Sequence, residues 1–182
     1  MASRRPCICA YFAISLDGMI ADEEGGISWL APFEQVDVGF DEFLGTITTV
    51  AMGRRTYDQV RTFGEWPYGG KDVIVVTSRE LRGAPAGVRA FNGPPPALVR
   101  QLSGGDMWVL GGAALFNAML WAGLIERLQL FLVPVMLGRG LKLFSGTPEE
   151  EVIGRQIDLR FRRARPHPLG IVELVYEVVA QQ

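Results

Sequence analysis

The chain is short of the side chains that carry most acid–base, thiol and metal chemistry. Its 182 residues include one histidine, His167, and two cysteines, Cys7 and Cys9, and of its 18 basic residues only Lys71 and Lys142 are lysines. We read the arginine bias as background composition. With no Cys-x-x-Cys and no His-x-x-x-His spacing, a zinc centre is excluded, and the zinc deaminases with it. Cys7 and Cys9 alternate along a predicted strand, so both face the same way and neither reaches the other as a disulfide. The histidine lies in Pro166-His167-Pro168 with no serine or cysteine nearby to activate, which argues against nucleophilic hydrolysis and makes it an exposed loop residue. No Gly-x-Gly-x-x-Gly follows a strand and no Gly-x-x-x-x-Gly-Lys-Ser/Thr occurs, so a Rossmann domain and a P-loop nucleotidase are both disfavoured.

Positive charge is not in excess either. Eighteen basic against 20 acidic residues give a net charge of −2, which argues against nucleic acid as a partner and favours a small-molecule substrate. Arg4 and Arg5 before the apolar run to Ile14 imitate a secretory leader but lack a small-residue cleavage pattern. Met107 to Ile125 carries no formal charge, yet Gly111, Gly112, Asn117 and Gly123 make it a strand, a turn and a buried helix rather than a membrane span. The expectation is a soluble, cytoplasmic protein.

What is present is an ordinary globular balance, 48% hydrophobic and 21% charged, long enough for one domain over residues 1–182. An apolar strand runs to Ile14, a turn at Leu16-Asp17-Gly18 follows, and Met19-Ile20-Ala21 is a second short piece. Spacings of three and four among Val36, Phe40, Phe43 and Leu44 predict a helix over Glu34–Leu44 with Asp37 and Asp41 on its polar face. Strands are expected at Ile47–Met52, Val73–Thr77, Val88–Phe91, Asp106–Leu110 and Glu126–Leu137, with helices at Arg54–Phe63, Pro94–Ser103 and Ala113–Trp121 between them. Gln156–Arg165 and Ile171–Val179 alternate and close the chain as an antiparallel hairpin. The order predicts an α/β fold with a mainly parallel central sheet, a C-terminal antiparallel hairpin and helices on both faces.

Ligands of such sheets sit at the carboxyl ends of the strands. Three junctions there combine glycine, hydroxyls or arginine: Met52-Gly53-Arg54-Arg55-Thr56, Val76-Thr77-Ser78-Arg79 and Leu110-Gly111-Gly112-Ala113-Ala114. Free N–H groups at helix starts and forked guanidiniums bind phosphates, so three such junctions side by side suit a dinucleotide.

The strings Ile14-Ser-Leu-Asp-Gly-Met-Ile-Ala21, Met52-Gly-Arg-Arg-Thr-Tyr57, Trp108-Val-Leu-Gly-Gly-Ala-Ala-Leu-Phe116 and Gly138-Arg-Gly-Leu-Lys-Leu-Phe144 resemble the dihydrofolate reductase superfamily. The resemblance runs from about residue 7 to 179 and is closest to the riboflavin-biosynthesis reductase branch, which contains the C-terminal domain of bifunctional deaminase-reductases. It implies a dihydrofolate-reductase-like three-layer fold and an NADPH-dependent oxidoreductase passing hydride to a ribosylaminopyrimidine-type substrate. By the same resemblance Ala13 and Ile20 match backbone positions holding the nicotinamide carboxamide, and Gly53, Arg54, Arg55 and Thr56 match the turn that holds the pyrophosphate and 2′-phosphate. Thr77, Ser78 and Arg79 match the adenosine phosphate pocket, Gly111 and Gly112 the paired-glycine turn, and Ala113, Ala114 and Leu115 the helix start under the pyrophosphate. Asp37 lines up with the pterin-binding carboxylate of folate enzymes and is the catalytic candidate; its alternative is one of several acids on a solvated helix face. Asp17, Trp29 and Phe40 are candidates for substrate contact, although Asp17 also suits a tight turn and Trp29 a core.

Phe131 stands where folate enzymes have a threonine, Phe116 where they have a tyrosine, and Gly140-Leu141 replaces an acidic-threonine turn. These departures turn the expectation away from folate. No deaminase segment accompanies the domain, so the expectation is a stand-alone reductase. Dihydrofolate reduction and non-catalytic nucleotide binding are the two rival functions, and a homodimer through the terminal hairpin is expected.

Overall fold

The computed structural model describes residues 6–102, 104–145 and 156–179. Its centre is an eight-stranded sheet in the order β5-β4-β3-β6-β1-β7-β10-β9. The strands are β1 (Ile8–Ser15), β3 (Ile47–Gly53), β4 (Asp72–Val76), β5 (Val88–Phe91), β6 (Asp106–Gly111), β7 (Arg127–Val133), β9 (Leu159–Pro166) and β10 (Val172–Val178). The first six in the sheet order pair in parallel, and β10 runs antiparallel to both β7 and β9. Two short strands, β2 (Met19–Ala21) and β8 (Leu141–Lys142), pair beside the main sheet.

Both faces of the parallel strands are covered, which is why β4 reads as a continuous aliphatic run. On one face α3 (Pro95–Val99) and α4 (Ala113–Trp121) bury Leu98, Phe116 and Met119 against Ala10, Ile74, Val109 and Leu128. On the other, α1 (Phe40–Thr46) and α2 (Arg54–Val60) bury Phe43, Tyr57 and Val60 against Val50, Val75 and Trp108. Cys7 and Cys9 both pack on this second face and are not joined in a disulfide. The fold is the expected three-layer α/β arrangement with its terminal antiparallel pair.

Three local expectations are corrected. The helix expected at Glu34–Leu44 begins only at Phe40, because Gly39 sits at φ 78° and breaks the helical path; a 3₁₀ turn over Ser28–Phe33, containing Pro32, precedes it. Asp37 therefore lies on a loop and not on a helix, and its carboxylate accepts the Gly39 N–H at 2.8 Å. The strand expected to reach Leu137 stops at Val133, where Pro134 cannot donate to a ladder. His167 is not exposed: its side chain is 4% accessible and meets Glu173, itself 2% accessible, at 3.3 Å.

Candidate active site

The carboxyl ends of β3 and β6 are neighbours in the sheet, and each ends in glycine. A methyl group on Gly53 would stand 3.8 Å from the Gly112 amide nitrogen and one on Gly112 3.3 Å from Thr56 Oγ1, so two turns approach backbone to backbone. Gly111 adopts φ 126°, which side-chain-bearing residues rarely take, and its peptide with Gly112 is cis. Gly53 caps α2 and Gly112 caps α4, neither with a side-chain hydrogen bond. The first-turn N–H groups of α4, from Ala113, Ala114 and Leu115, are therefore left without a capping side chain and are available to an anion. The Leu115 side chain itself is buried in the core and anchors the helix start.

Beside these turns lies a hollow of about 350 Å³ lined by Arg54, Tyr57, Asp58, Arg61, Arg79, Glu80 and Arg82. Arg54 Nε donates to both Asp58 carboxylate oxygens at 2.9 Å, and its terminal nitrogen donates to the Glu80 carbonyl at 3.2 Å, tying α2 to the loop after β4. Thr77 Oγ1 accepts the Arg79 N–H at 3.0 Å and holds that loop in a tight turn. Ser78 and Arg79 are exposed beyond it, while Arg55, also exposed, does not line the hollow. Four guanidiniums face two carboxylates here. Arg61 and Arg82 were not singled out in the sequence, although Arg54, Asp58 and Arg61 at spacings of four and three already share one helical face.

The other half of the site is aromatic. Tyr11 on β1 stacks on Phe43 at 4.3 Å and lies 4.6 Å from Phe131, with Phe40 and Trp108 set edge-on at 5.7 and 6.2 Å between centroids. Phe40 is thus brought to this cluster, and Ala13 follows two residues after Tyr11 on the same strand face. Ile20 is half-buried on β2 against the α4-side core. Trp29 lies in the 3₁₀ turn with its indole N–H buried. Asp37 is exposed. Asp17 has its carboxylate fully engaged within the protein: it accepts from Ser15 Oγ at 2.6 Å, Gly138 N–H at 2.7 Å and Leu137 N–H at 3.1 Å. Those hydrogen bonds, from Ser15 first, hold its pKa down at about 2.

A buried polar group adjoins the aromatic cluster. Glu173 on β10 accepts from Gln129 at 2.8 Å and Arg163 at 2.6 Å and meets His167. Burial pushes its carboxyl up, but the hydrogen bonds and charges of Arg163 and His167 outweigh this and hold it below the usual range. Burial, and then the charges of Glu173 and Asp37, push the Tyr11 phenol well above its ordinary value. None of Tyr11, Glu173 and His167 was singled out as a site residue in the sequence; only the Tyr11 position, two before Ala13, offered a signal. No group of side chains suited to a metal ion occurs among the described residues.

The sequence and the fold have counterparts among known proteins. The chain is 34% identical over 171 residues to the uncharacterized protein YwjB of Bacillus subtilis (strain 168), covering 85% of this chain and 96% of YwjB. The crystal structure of a putative riboflavin biosynthesis protein from Shewanella sp. PV-4 superposes with a TM-score of 0.79 at 23% identity, over 95% of this chain and 99% of that one. Dihydrofolate reductase from Enterococcus faecalis, complexed with NADP(H) and RAB-propyl, superposes with a TM-score of 0.68 at 19% identity, over 94% and 96% of the two chains. The model of the RibD C-terminal domain matches residues 6–172, which take in the paired-glycine turns, the arginine hollow and the aromatic cluster together, and the chain belongs to that family.

Proposed function

We propose that the protein is an NADPH-dependent reductase acting on a ribosylaminopyrimidine-type substrate. The observation that carries this reading is the meeting of the Gly53 and Gly111–Gly112 turns beside a hollow lined by four arginines. The residues fit the cofactor. Glycines without side chains leave room for a pyrophosphate against the α4 N-terminus, and guanidiniums suit a 2′-phosphate better than a bare hydroxyl. Gly53, Thr56 and the α4 N–H groups would hold the pyrophosphate, Arg54 and Arg79 with Thr77 and Ser78 the adenosine phosphate, and the Ala13 and Ile20 backbones the carboxamide. NADP(H) is bound by the similarly folded Enterococcus reductase, which supports the same choice here.

When bound, the nicotinamide supplies a hydride. The chain's own part is to orient the two rings and exclude water, through the apolar wall of Tyr11, Phe40 and Phe131. Folate is the weaker reading, because Asp37 is exposed, off the helix and engaged with Gly39, and Phe131 offers no hydroxyl to support a carboxylate. The reading includes a homodimer formed through β9, whose residues are exposed along its length.

The test is NADPH oxidation followed by absorbance, with 5-amino-6-(5-phosphoribosylamino)uracil and with dihydrofolate. Turnover of the first is expected. Turnover of dihydrofolate alone, abolished by Asp37→Asn, would replace this reading with folate reduction, and NADPH binding without oxidation by either would make the protein a non-catalytic binder.

A further inference from the structure

Tyr11 occupies a singular place in the site. It stands two residues before Ala13 on one strand face, about 7 Å along the strand, and its ring is fixed by Phe43, Phe131 and Phe40. The ring is half-buried, but its hydroxyl is buried and has no hydrogen-bond partner among the described residues. Buried hydroxyls are almost always paired, and leaving one unpaired destabilises a fold. Trp108 Nε1 on the same face is also unpartnered, but its ring is enclosed in the core among Phe43, Tyr68 and Tyr11. Tyr11 instead adjoins Ala13 and Phe40, both only half-buried.

The groups around the phenol fix its role. Glu173, on β10, and Asp37, on the loop before α1, both act on it by charge and, with burial, oppose its ionisation. A phenol that stays protonated offers a donor to a ligand that carries an acceptor. We infer that Tyr11 is a specificity-determining residue of this site, its hydroxyl donating to a carbonyl oxygen of the substrate's planar ring while Phe131 and Phe40 pack beside that ring. The inference rests on the reductase reading above.

The test uses the whole protein saturated with NADP⁺ and titrated with 5,6-diaminouracil, comparing wild type with Tyr11→Phe. The variant is expected to bind NADP⁺ as the wild type does, to lose about tenfold in affinity for 5,6-diaminouracil, and to melt no lower than the wild type, because the hydroxyl it loses has no partner to leave behind. Undiminished stability beside a loss of binding is what a purely structural tyrosine does not show. Equal affinity of both proteins for 5,6-diaminouracil, a lower melting temperature in the variant, or no binding of this ring to the wild type with NADP⁺ bound would each overturn the inference. Failure of the wild type to bind NADP⁺ would instead overturn the reductase reading beneath it.

Discussion

Asp17 shows how one residue can be both a turn former and a clamp. Its carboxylate joins the β1–β2 turn to the Gly138 loop through hydrogen bonds from Ser15, Leu137 and Gly138. Its pKa falls from 3.8 to about 2 on folding. The unfolded chain therefore takes up this proton first as pH drops, so the stabilisation is complete above pH 3.8 and is lost on the way to about pH 2. Glu173, also held below its ordinary value, adds to the same acid-side loss. Thermal melts across this range are expected to show a falling melting temperature, and Asp17→Asn to flatten that fall while lowering stability at neutral pH. A variant with an unchanged acid profile would remove Asp17 from the account. At the alkaline end burial raises Tyr68 to about 12. Tyr11 is raised as well, so stability is expected to decline once the pH passes the ordinary tyrosine value near 10. His167 marks the limit of reading single residues. Between two prolines it has the sequence surroundings of a surface turn, and its burial depends on Glu173 and Phe131 arriving from other strands.

Elements divide into those set by their own residues and those set by neighbours. The branched aliphatic run of β4 was legible because it suits a doubly covered sheet whatever surrounds it. The start of α1 was not, since the apolar spacing of Val36 and Phe40 runs through Gly39, whose positive φ keeps the helix from beginning before Phe40. Lys71, one of two lysines, donates to the carbonyls of Leu44 at 2.8 Å and Ile47 at 2.7 Å and so ties itself to the C-terminal end of α1. Lys71→Met is expected to cost about 1–3 kcal/mol in chemical denaturation. The two glycine turns should separate fold from function. At Gly111 a methyl group would sit at φ 126° and 3.3 Å from the Phe12 ring, so Gly111→Ala is expected to destabilise by about 1–3 kcal/mol. At Gly53 the φ is −75° and the nearest atom 3.8 Å away, so Gly53→Ala should change stability by less than about 0.5 kcal/mol. Under the proposed cofactor placement it should still weaken NADPH binding about tenfold. Equal NADPH affinity in that variant would move the pyrophosphate elsewhere.

At the scale of the whole molecule, the sheet order brings together residues scattered along the chain. Gly53, Arg54, Thr56, Thr77, Arg79, Gly111 and Gly112 were legible as junctions because each ends a parallel strand, and parallel strands gather their carboxyl ends on one side. The aromatic half was less legible. Tyr11, Phe40, Phe131 and His167 come from different elements, and no spacing in the sequence joins them. The opposite edge of the sheet offers the proposed dimer surface: β9 is exposed throughout, with Phe161 58% accessible, and unpaired strand edges invite pairing. Gel filtration is expected to give a species of twice 20.0 kDa, and elution at 20.0 kDa would remove the dimer. The central claim concerns the cofactor. It is tested most directly by titrating the protein with NADPH and with NADH, following quenching of its four tryptophans, in the wild type and in Arg79→Ala. The account predicts that NADPH binds about ten- to a hundredfold more tightly than NADH, as one or more charge-assisted contacts to a phosphate would give, and that Arg79→Ala loses most of this preference while leaving NADH unchanged. Equal affinity for the two nucleotides, or binding of neither, would contradict it.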